Sequence, residues 1–489
     1  MRQANDRPTA LFSLHLRKDK KLMDYQTINP ATEEVVKTFP TISDANLDKV
    51  IAKAHELYLN DWSNRPVADR CRILGRAAEI LKEKIEEYAA YLGLEVGKTP
   101  GSCKGEVNLV AGILEYYAKN AEAFLAPKQL PGFPNAEVIS RPQGIVLAIE
   151  PWNFPYYQVV RVAGPQLAVG NVVVLKHSEN VPQCALAFER LMREAGAPEG
   201  AYTNVFATPA QIARVIADPR IIGVTLTGSE RAGSAVGENA GRNLKKIVLE
   251  LGGSDPLIVM PDAPLEDAVK AAVYGRTFNN AESCINTKRV IVVGKDRGAA
   301  FTKAFTDAMK DIKVGAPSEA GTQMGPVISA KALAGLLDQI DQARKGGATV
   351  LTGGKRVDRP GFFLEPTVLA NISADNPVYR QEIFGPVASV FVVNTVDEAI
   401  RIANDSPFGL GSSVFGSDLD KARAVADQIE SGMVFINQTT WTTAQLPFGG
   451  VKRSGFGREL SELGIGEFIN HKLIHKAPSG SPITGALKS

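Results

Sequence analysis

The sequence predicts an α/β fold built from two doubly wound units with a small β excursion, and three observations lead there. Short continuous apolar runs from Gly144 onward, GIVLAIE, NVVVLK, RIIGVTLTG and KIVLELGG, alternate with helix-like segments. Strands buried on both faces read this way in parallel sheets covered by helices. A second series, KRVIVVG, AAFTKAFTDAMKDI, ASVFVVN, DEAIRIANDS and SGMVFIN, repeats the alternation. The length of 489 residues suits two to three structural units rather than one.

The first 22 residues carry basic side chains and a short apolar patch, but Asp6 and Asp19 and the lack of a small-residue cleavage site argue against a secretory signal. They read as a disordered leader or an alternative start before Met23, with a transit peptide as the weaker option. Residues 44–125 are helical in pattern, and Ile73, Leu74, Ile80, Leu81, Ile85, Tyr88 and Leu92 recur at three- and four-residue steps as one buried stripe. The prolines and glycines of APKQLPGFPNAEVISRPQG then mark an excursion such as a hairpin or arm. The tail after Lys476, PSGSPITGALKS, is expected to fray.

With 55 basic and 53 acidic residues the formal charge is +2, so neither nucleic acid nor an anionic membrane is called for as a partner. The chain has no run of about 18 apolar residues, the length a membrane-spanning helix needs. The four cysteines, 71, 103, 184 and 284, are too dispersed for a zinc-ligand pair and too few to staple the chain, which fits a reduced, cytoplasmic setting without a metal.

Ligands of open α/β sheets sit beyond the carboxyl ends of the strands. PWNFP at 151–155, KHSE at 176–179, TGSERAG at 227–233 and ELGGSDP at 250–256 all fall there. Gly228 and Gly233 are spaced GxxxxG at a strand-to-helix junction, where bare N–H groups could receive a pyrophosphate, although a glycine pair is more often plain turn chemistry. Lys176 reads equally as a solvated strand end, and Glu250 as either a paired carboxylate or a general base. Cys284 in NNAESCIN is by default a packed apolar residue, and its neighbours must decide otherwise.

Taken together and in order, PWNFP, ELGGSDP, FNNAESCINTKR, QEIFGPV and PFGGVKRSGFGRE resemble the signature set of the aldehyde dehydrogenase superfamily, from about Tyr25 to about Pro478. QVVRVAGPQLAVGNVVVLKH and SGMVFIN are most similar to the shorter bacterial succinate-semialdehyde dehydrogenases. The resemblance implies that residues 23–126 and 143–249 bind NAD(P), that 250–447 form the catalytic domain, and that 127–142 with 448–478 supply an oligomerisation arm and C-terminal segment. It implies Cys284 as nucleophile, Asn153 and the Cys284 N–H as oxyanion donors, and Glu250 as the base that activates water. A glutamate at 250 separates the chain from the CoA-acylating branch.

For the cofactor, the resemblance assigns Lys176 and Glu179 to the adenine ribose, Trp152 and Ser229 to the pyrophosphate region, and Glu382 with Phe384 to the nicotinamide ribose and ring, with Gly228, Gly233 and Leu251 beside them. Glu179 would repel the 2′-phosphate of NADP, so NAD is favoured and NADP stays open. Arg161 is a candidate anchor for a substrate carboxylate, or an interface residue. Ala281 and Glu282 stand where relatives carry Gly-Gln, and an inward Glu282 would make the thiolate scarcer. Glu459 could replace a relay lysine missing at Val162, or form an ion pair near Arg458. The function expected is oxidation of an aldehyde, succinate semialdehyde foremost, by a homodimer or homotetramer. Another small aldehyde, or an inactive relic of the fold, are the alternatives.

Overall fold

The computed structural model describes residues 25–481, so the 1–22 leader and the end of the tail lie outside the described residues. The first sheet is ordered Gly455–Phe456, Lys246–Glu250, Ile221–Thr227, Ile145–Glu150, Val172–His177 and Tyr202–Asn204. All neighbours run parallel except the Gly455–Phe456 edge. Val172, Val173, Val174 and Leu175 are buried without break, as a strand covered on both faces requires. The second sheet is ordered Thr349–Thr352, Thr367–Ala370, Val387–Val393, Thr287–Val293, Asp255–Val259, Gly411–Phe415 and Met433–Ile436, parallel apart from its first pair. Asn470–His475, Phe133–Arg141 and Lys128–Leu130 form a separate antiparallel arm.

One detail differs from the sequence reading, and the segment 448–478 divides between arm and sheet edges. The apolar stripe expected to be continuous is divided between helices Val67–Glu83 and Ile85–Val96, which break at Lys84, and Ile73 and Ile85 are only partly buried. Of the segment 448–478, only Asn470–His475 joins the arm: Val451–Lys452 pairs with Phe408–Gly409, and Gly455–Phe456 closes the edge of the first sheet.

The N-terminal helical layer ties directly into the strand ends. Helices Pro155–Val169 and Pro182–Glu194 both start on proline and have no side-chain cap of their own. Glu106, in helix Pro100–Phe124, accepts from Tyr156 N at 2.9 Å and Tyr157 N at 3.2 Å. Glu95 does the same for Gln183 N and Cys184 N, both at 2.9 Å. A carboxylate at a helix N-terminus satisfies orphan donors and complements the dipole. Lys98 Nζ in turn pairs with Glu106 at 2.5 Å, both side chains being fully buried, and lies 3.9 Å from the centre of the Phe154 ring.

Removing one partner of a buried pair leaves the other charge uncompensated. Lys98→Met is expected to lower unfolding stability by about 3 kcal/mol. The double variant Lys98→Met/Glu106→Gln should recover part of that loss, read as denaturant midpoints of the three proteins side by side.

Candidate active site

Because the strands are parallel and in register, their carboxyl ends deliver side chains to one crevice. Glu250 lies beside Thr227, Leu226 beside Ile149, and Ile149 beside Lys176. Beyond these ends a cavity of about 240 Å³ is lined by Pro151, Trp152, Asn153, Gln158, Thr227, Gly228, Ser229, Leu251, Gly252, Cys284, Glu382 and Phe384. Cys284, Asn153, Trp152, Gly228, Ser229, Leu251, Glu382 and Phe384 are therefore brought together, although they come from both sheets.

Asn153 is oriented by its contacts. Its Oδ1 accepts from Gln158 Nε2 at 3.2 Å, and its Nδ2 donates to Glu282 O at 3.1 Å. An amide nitrogen carries two N–H groups, which leaves the second for the cavity. Gln158 is itself held, because its Oε1 accepts from Arg161 Nη2. The turn after Asn153 is pinned by His177, whose Nδ1 accepts from Ser178 N at 2.8 Å while Nε2 meets Pro155 O at 2.9 Å. Burial lowers the His177 pKa to about 4, so the ring is neutral with its proton on Nε2.

The nucleophile loop is sharply bent. Asn279, Asn280 and Ala281 have φ of 55°, 54° and 64°, a run of left-handed residues that is costly for side chains with a Cβ. Their surroundings over-determine it: Asn279 Nδ2 donates to Asn153 O at 3.0 Å, Asn280 Nδ2 to Gly97 O at 2.9 Å, and Arg276 Nη2 to Ala281 O at 2.6 Å. The glycines of ELGG serve close approach: a Cβ at Gly252 would lie 2.3 Å from Glu382 Oε2, and one at Gly253 2.6 Å from Cys284 O.

Cys284 keeps some exposure, while Cys71, Cys103 and Cys184 are buried. Burial pushes its thiol up to about 12 against the pull of Lys288 and Arg161. Glu282 is buried, but its Oε1 accepts from Ile328 N at 3.1 Å outside the cavity lining. Burial raises its carboxyl well above the usual range, which favours the protonated form two residues before Cys284.

Five expected residues lie outside the cavity lining. Glu250 is buried behind Leu251, against Gly449, whose added Cβ would sit 2.7 Å from Glu250 Oε1. Neither of its carboxyl oxygens, nor those of Glu150, meets a hydrogen-bond donor among the described residues. Burial and the nearby Glu459 raise the Glu250 pKa well above the ordinary carboxylate range. Arg161 is no free carboxylate anchor: its Nε pairs with Glu459 Oε2 at 2.8 Å, its Nη2 reaches Thr227 Oγ1 at 2.9 Å, and the rings of Phe448 and Tyr157 lie 4.6 and 4.9 Å from its guanidinium carbon. The partner of Glu459 is thus Arg161 rather than Arg458.

Lys176 and Glu179 lie 3.5 Å apart at the end of the neighbouring strand, with Glu179 half-exposed. Gly233 packs helix Glu230–Arg242 against Leu251, where a Cβ would come within 2.7 Å. Gly228 is under no such constraint, since a Cβ there would meet only Leu226 at 3.6 Å. The Ser229 hydroxyl already caps its helix at Ala232 N, 3.3 Å away. Gln158, Thr227, Gly252 and Lys288 were not singled out in the sequence; Gln158 lies in the first turns of helix Pro155–Val169, just after Asn153, and no local pattern marks its contact with the Asn153 amide.

A family model described as the aldehyde dehydrogenase family matches residues 16–474. The chain belongs to this family. It is an oxidoreductase that acts on aldehydes. It is 49% identical to a succinate-semialdehyde dehydrogenase [NADP(+)] of Deinococcus radiodurans over 93% of this chain and 95% of that one. A similarly named protein of Mycolicibacterium paratuberculosis is 44% identical over 95% and 99%. A crystal structure of succinic semialdehyde dehydrogenase from Streptococcus pyogenes with NADP+ aligns with a TM-score of 0.90 at 44% identity, covering 93% of this chain and 100% of that one.

The raised Glu250 carboxyl has a kinetic signature for this aldehyde dehydrogenase. A base that must be ionised loses function as pH falls through its pKa, so hydrolytic turnover should decline well above pH 4.5. A pH–rate profile for ester hydrolysis by the enzyme is expected to show this acid limb, and Glu250→Gln to remove the pH-dependent rate.

Proposed function

We propose that the chain oxidises succinate semialdehyde to succinate with a nicotinamide dinucleotide, by way of a covalent adduct on Cys284. The observation that supports this most is one cavity holding a cysteine sulfur, an oriented amide donor and the Glu382–Phe384 pair. The cavity suits a flat heteroaromatic ring: Trp152 and Phe384 meet edge to face at 5.8 Å, and Gly252 leaves room for Glu382 to come close. When bound there, the nicotinamide supplies the hydride acceptor.

Cys284 as thiolate attacks the aldehyde carbon, and the resulting oxyanion of the thiohemiacetal takes hydrogen bonds from Asn153 Nδ2 and the Cys284 N–H. Loss of hydride from that carbon gives the thioester. Water then attacks the thioester carbonyl while Glu250 takes its proton, releasing the carboxylic acid and the thiol. For this Glu250 must turn from its buried position past Leu251 toward Cys284. The arm of Asn470–His475 and Phe133–Arg141, with Phe133 and Leu473 exposed, would serve a homodimer or homotetramer.

The relatives named above carry succinate semialdehyde in their names, and that likeness supports the substrate. The internal ion pair of Arg161 favours a second reading, a small uncharged aldehyde, because a substrate carboxylate would have to displace Glu459. For the cofactor, Glu179 favours NAD over NADP, whereas those relatives are named for NADP(+).

Mixing enzyme, succinate semialdehyde and dinucleotide without CoA should generate absorbance from the reduced nicotinamide, and Cys284→Ala should abolish it. Uncharged aldehydes of the same length turning over equally well would support the second reading. Glu179→Ser should shift the kcat/KM ratio toward NADP by roughly tenfold or more, equivalent to about 1.4 kcal/mol; an unchanged ratio would remove Glu179 from the choice of cofactor.

A further inference from the structure

Lys288, in the strand that follows the nucleophile loop, is a buried ammonium aimed at that loop. Its Nζ lies 2.6 Å from Cys284 O, 3.0 Å from Ser283 O and 3.2 Å from Glu382 Oε1. An ammonium has three N–H donors, and these three acceptors match them; a neutral amine would leave one without a donor. Glu382 Oε1 is held from the other side by Gly253 N at 3.1 Å, and the Phe384 ring lies 5.8 Å from the ammonium. The Lys288 charge therefore lies between two anionic claims, the Glu382 carboxylate at present and the Cys284 sulfur once ionised.

We propose that Lys288 is the positioning residue that sets the reactivity of Cys284, and that Glu382 works against it, so that a ligand drawing Glu382 away from Lys288 arms the thiol. The charged groups around the pair are Glu382, Asp255, Arg276 and Cys284 for Lys288, with Arg161 added for Cys284. Lys288 and Arg161 favour the thiolate, whereas Glu382 and Asp255 oppose it. Arg161 is committed to Glu459, and Asp255 is buried with its Oδ1 accepting from Gly411 N at 3.1 Å, so neither is free to respond to a ligand. Glu382 is different: it lines the cavity and keeps partial exposure. In a dry site one displaced counter-charge changes a neighbour strongly. The inference rests on the dinucleotide reading only for which ligand moves Glu382; the opposition of the two side chains holds in the free protein.

The test is the pH dependence of Cys284 alkylation by iodoacetamide in the full chain without ligand, followed on the Cys284 peptide by mass spectrometry. Lys288→Gln keeps hydrogen-bond donors but removes the charge, and should raise the apparent thiol pKa by at least about half a unit, roughly a threefold slower reaction below that pKa. Glu382→Gln should shift it the other way by a similar amount, and Lys288→Arg should restore wild-type behaviour. Opposite signs from two side chains in contact support the proposal, since simple loosening of the loop would move both variants in one direction. Shifts of the same sign, or none, overturn it. In a second arm, NAD or NADP added to wild type should speed alkylation below the thiol pKa, and in Lys288→Gln that acceleration should vanish; protection of Cys284 in wild type overturns the arming by the dinucleotide. If opposite shifts occur without any dinucleotide effect, the dinucleotide reading fails and the charge balance stands; acceleration that persists in Lys288→Gln overturns the balance.

Discussion

Buried ion pairs beside the cavity organise the site. The cavity is small and bordered by buried side chains, so an isolated ion there would lose hydration that nothing replaces. Arg161 is matched by Glu459, Lys288 by Glu382, and Lys98 by Glu106. Burial raises the pKa of Cys284, Glu150, Glu250 and Glu282, which lack a direct ion-pair partner, and so disfavours their charged forms.

The same pairs also set geometry. Arg161 binds Glu459 and at once fixes the Gln158 amide, which fixes Asn153, whose remaining N–H is then directed into the cavity. A buried ion pair made by a helix residue thereby orients the Asn153 amide just before that helix starts. Glu106 acts one step earlier by holding the first turn of that helix, directly after the PWNFP bend. These supports come from Glu106 and Glu459, which lie in chain segments more than three hundred residues apart.

How much of this could be read from sequence follows from that separation. The parallel sheets were legible because VVVL and VIVV are apolar without alternation, and the crevice because PWNFP, TGSERAG and ELGG follow such runs directly. Lys84 offers no helix-breaking signal, so the boundary between two helices went unseen and the stripe looked continuous. Arg161 looked available to a ligand because its partner Glu459 is 298 positions away and no local pattern announces the pair. Lys288 and Glu106 were passed over for the same reason, since a charge beside apolar residues reads as an exposed strand or helix end until its partner is known. Gly228 shows the converse, a position that motif spacing emphasised and packing leaves undemanding.

Glu282 deserves its own physical consequence. Burial favours its protonated form, and in that form a carboxyl imitates the shape and polarity of an amide and does not oppose ionisation of the sulfur. The disguise depends on the medium. A carboxyl whose folded pKa is raised contributes stability that is whole below its unfolded pKa and is lost as pH rises from there through the folded one. Rising pH therefore works against the segment that carries the sulfur through a bystander in its loop, even while the thiolate itself grows more abundant.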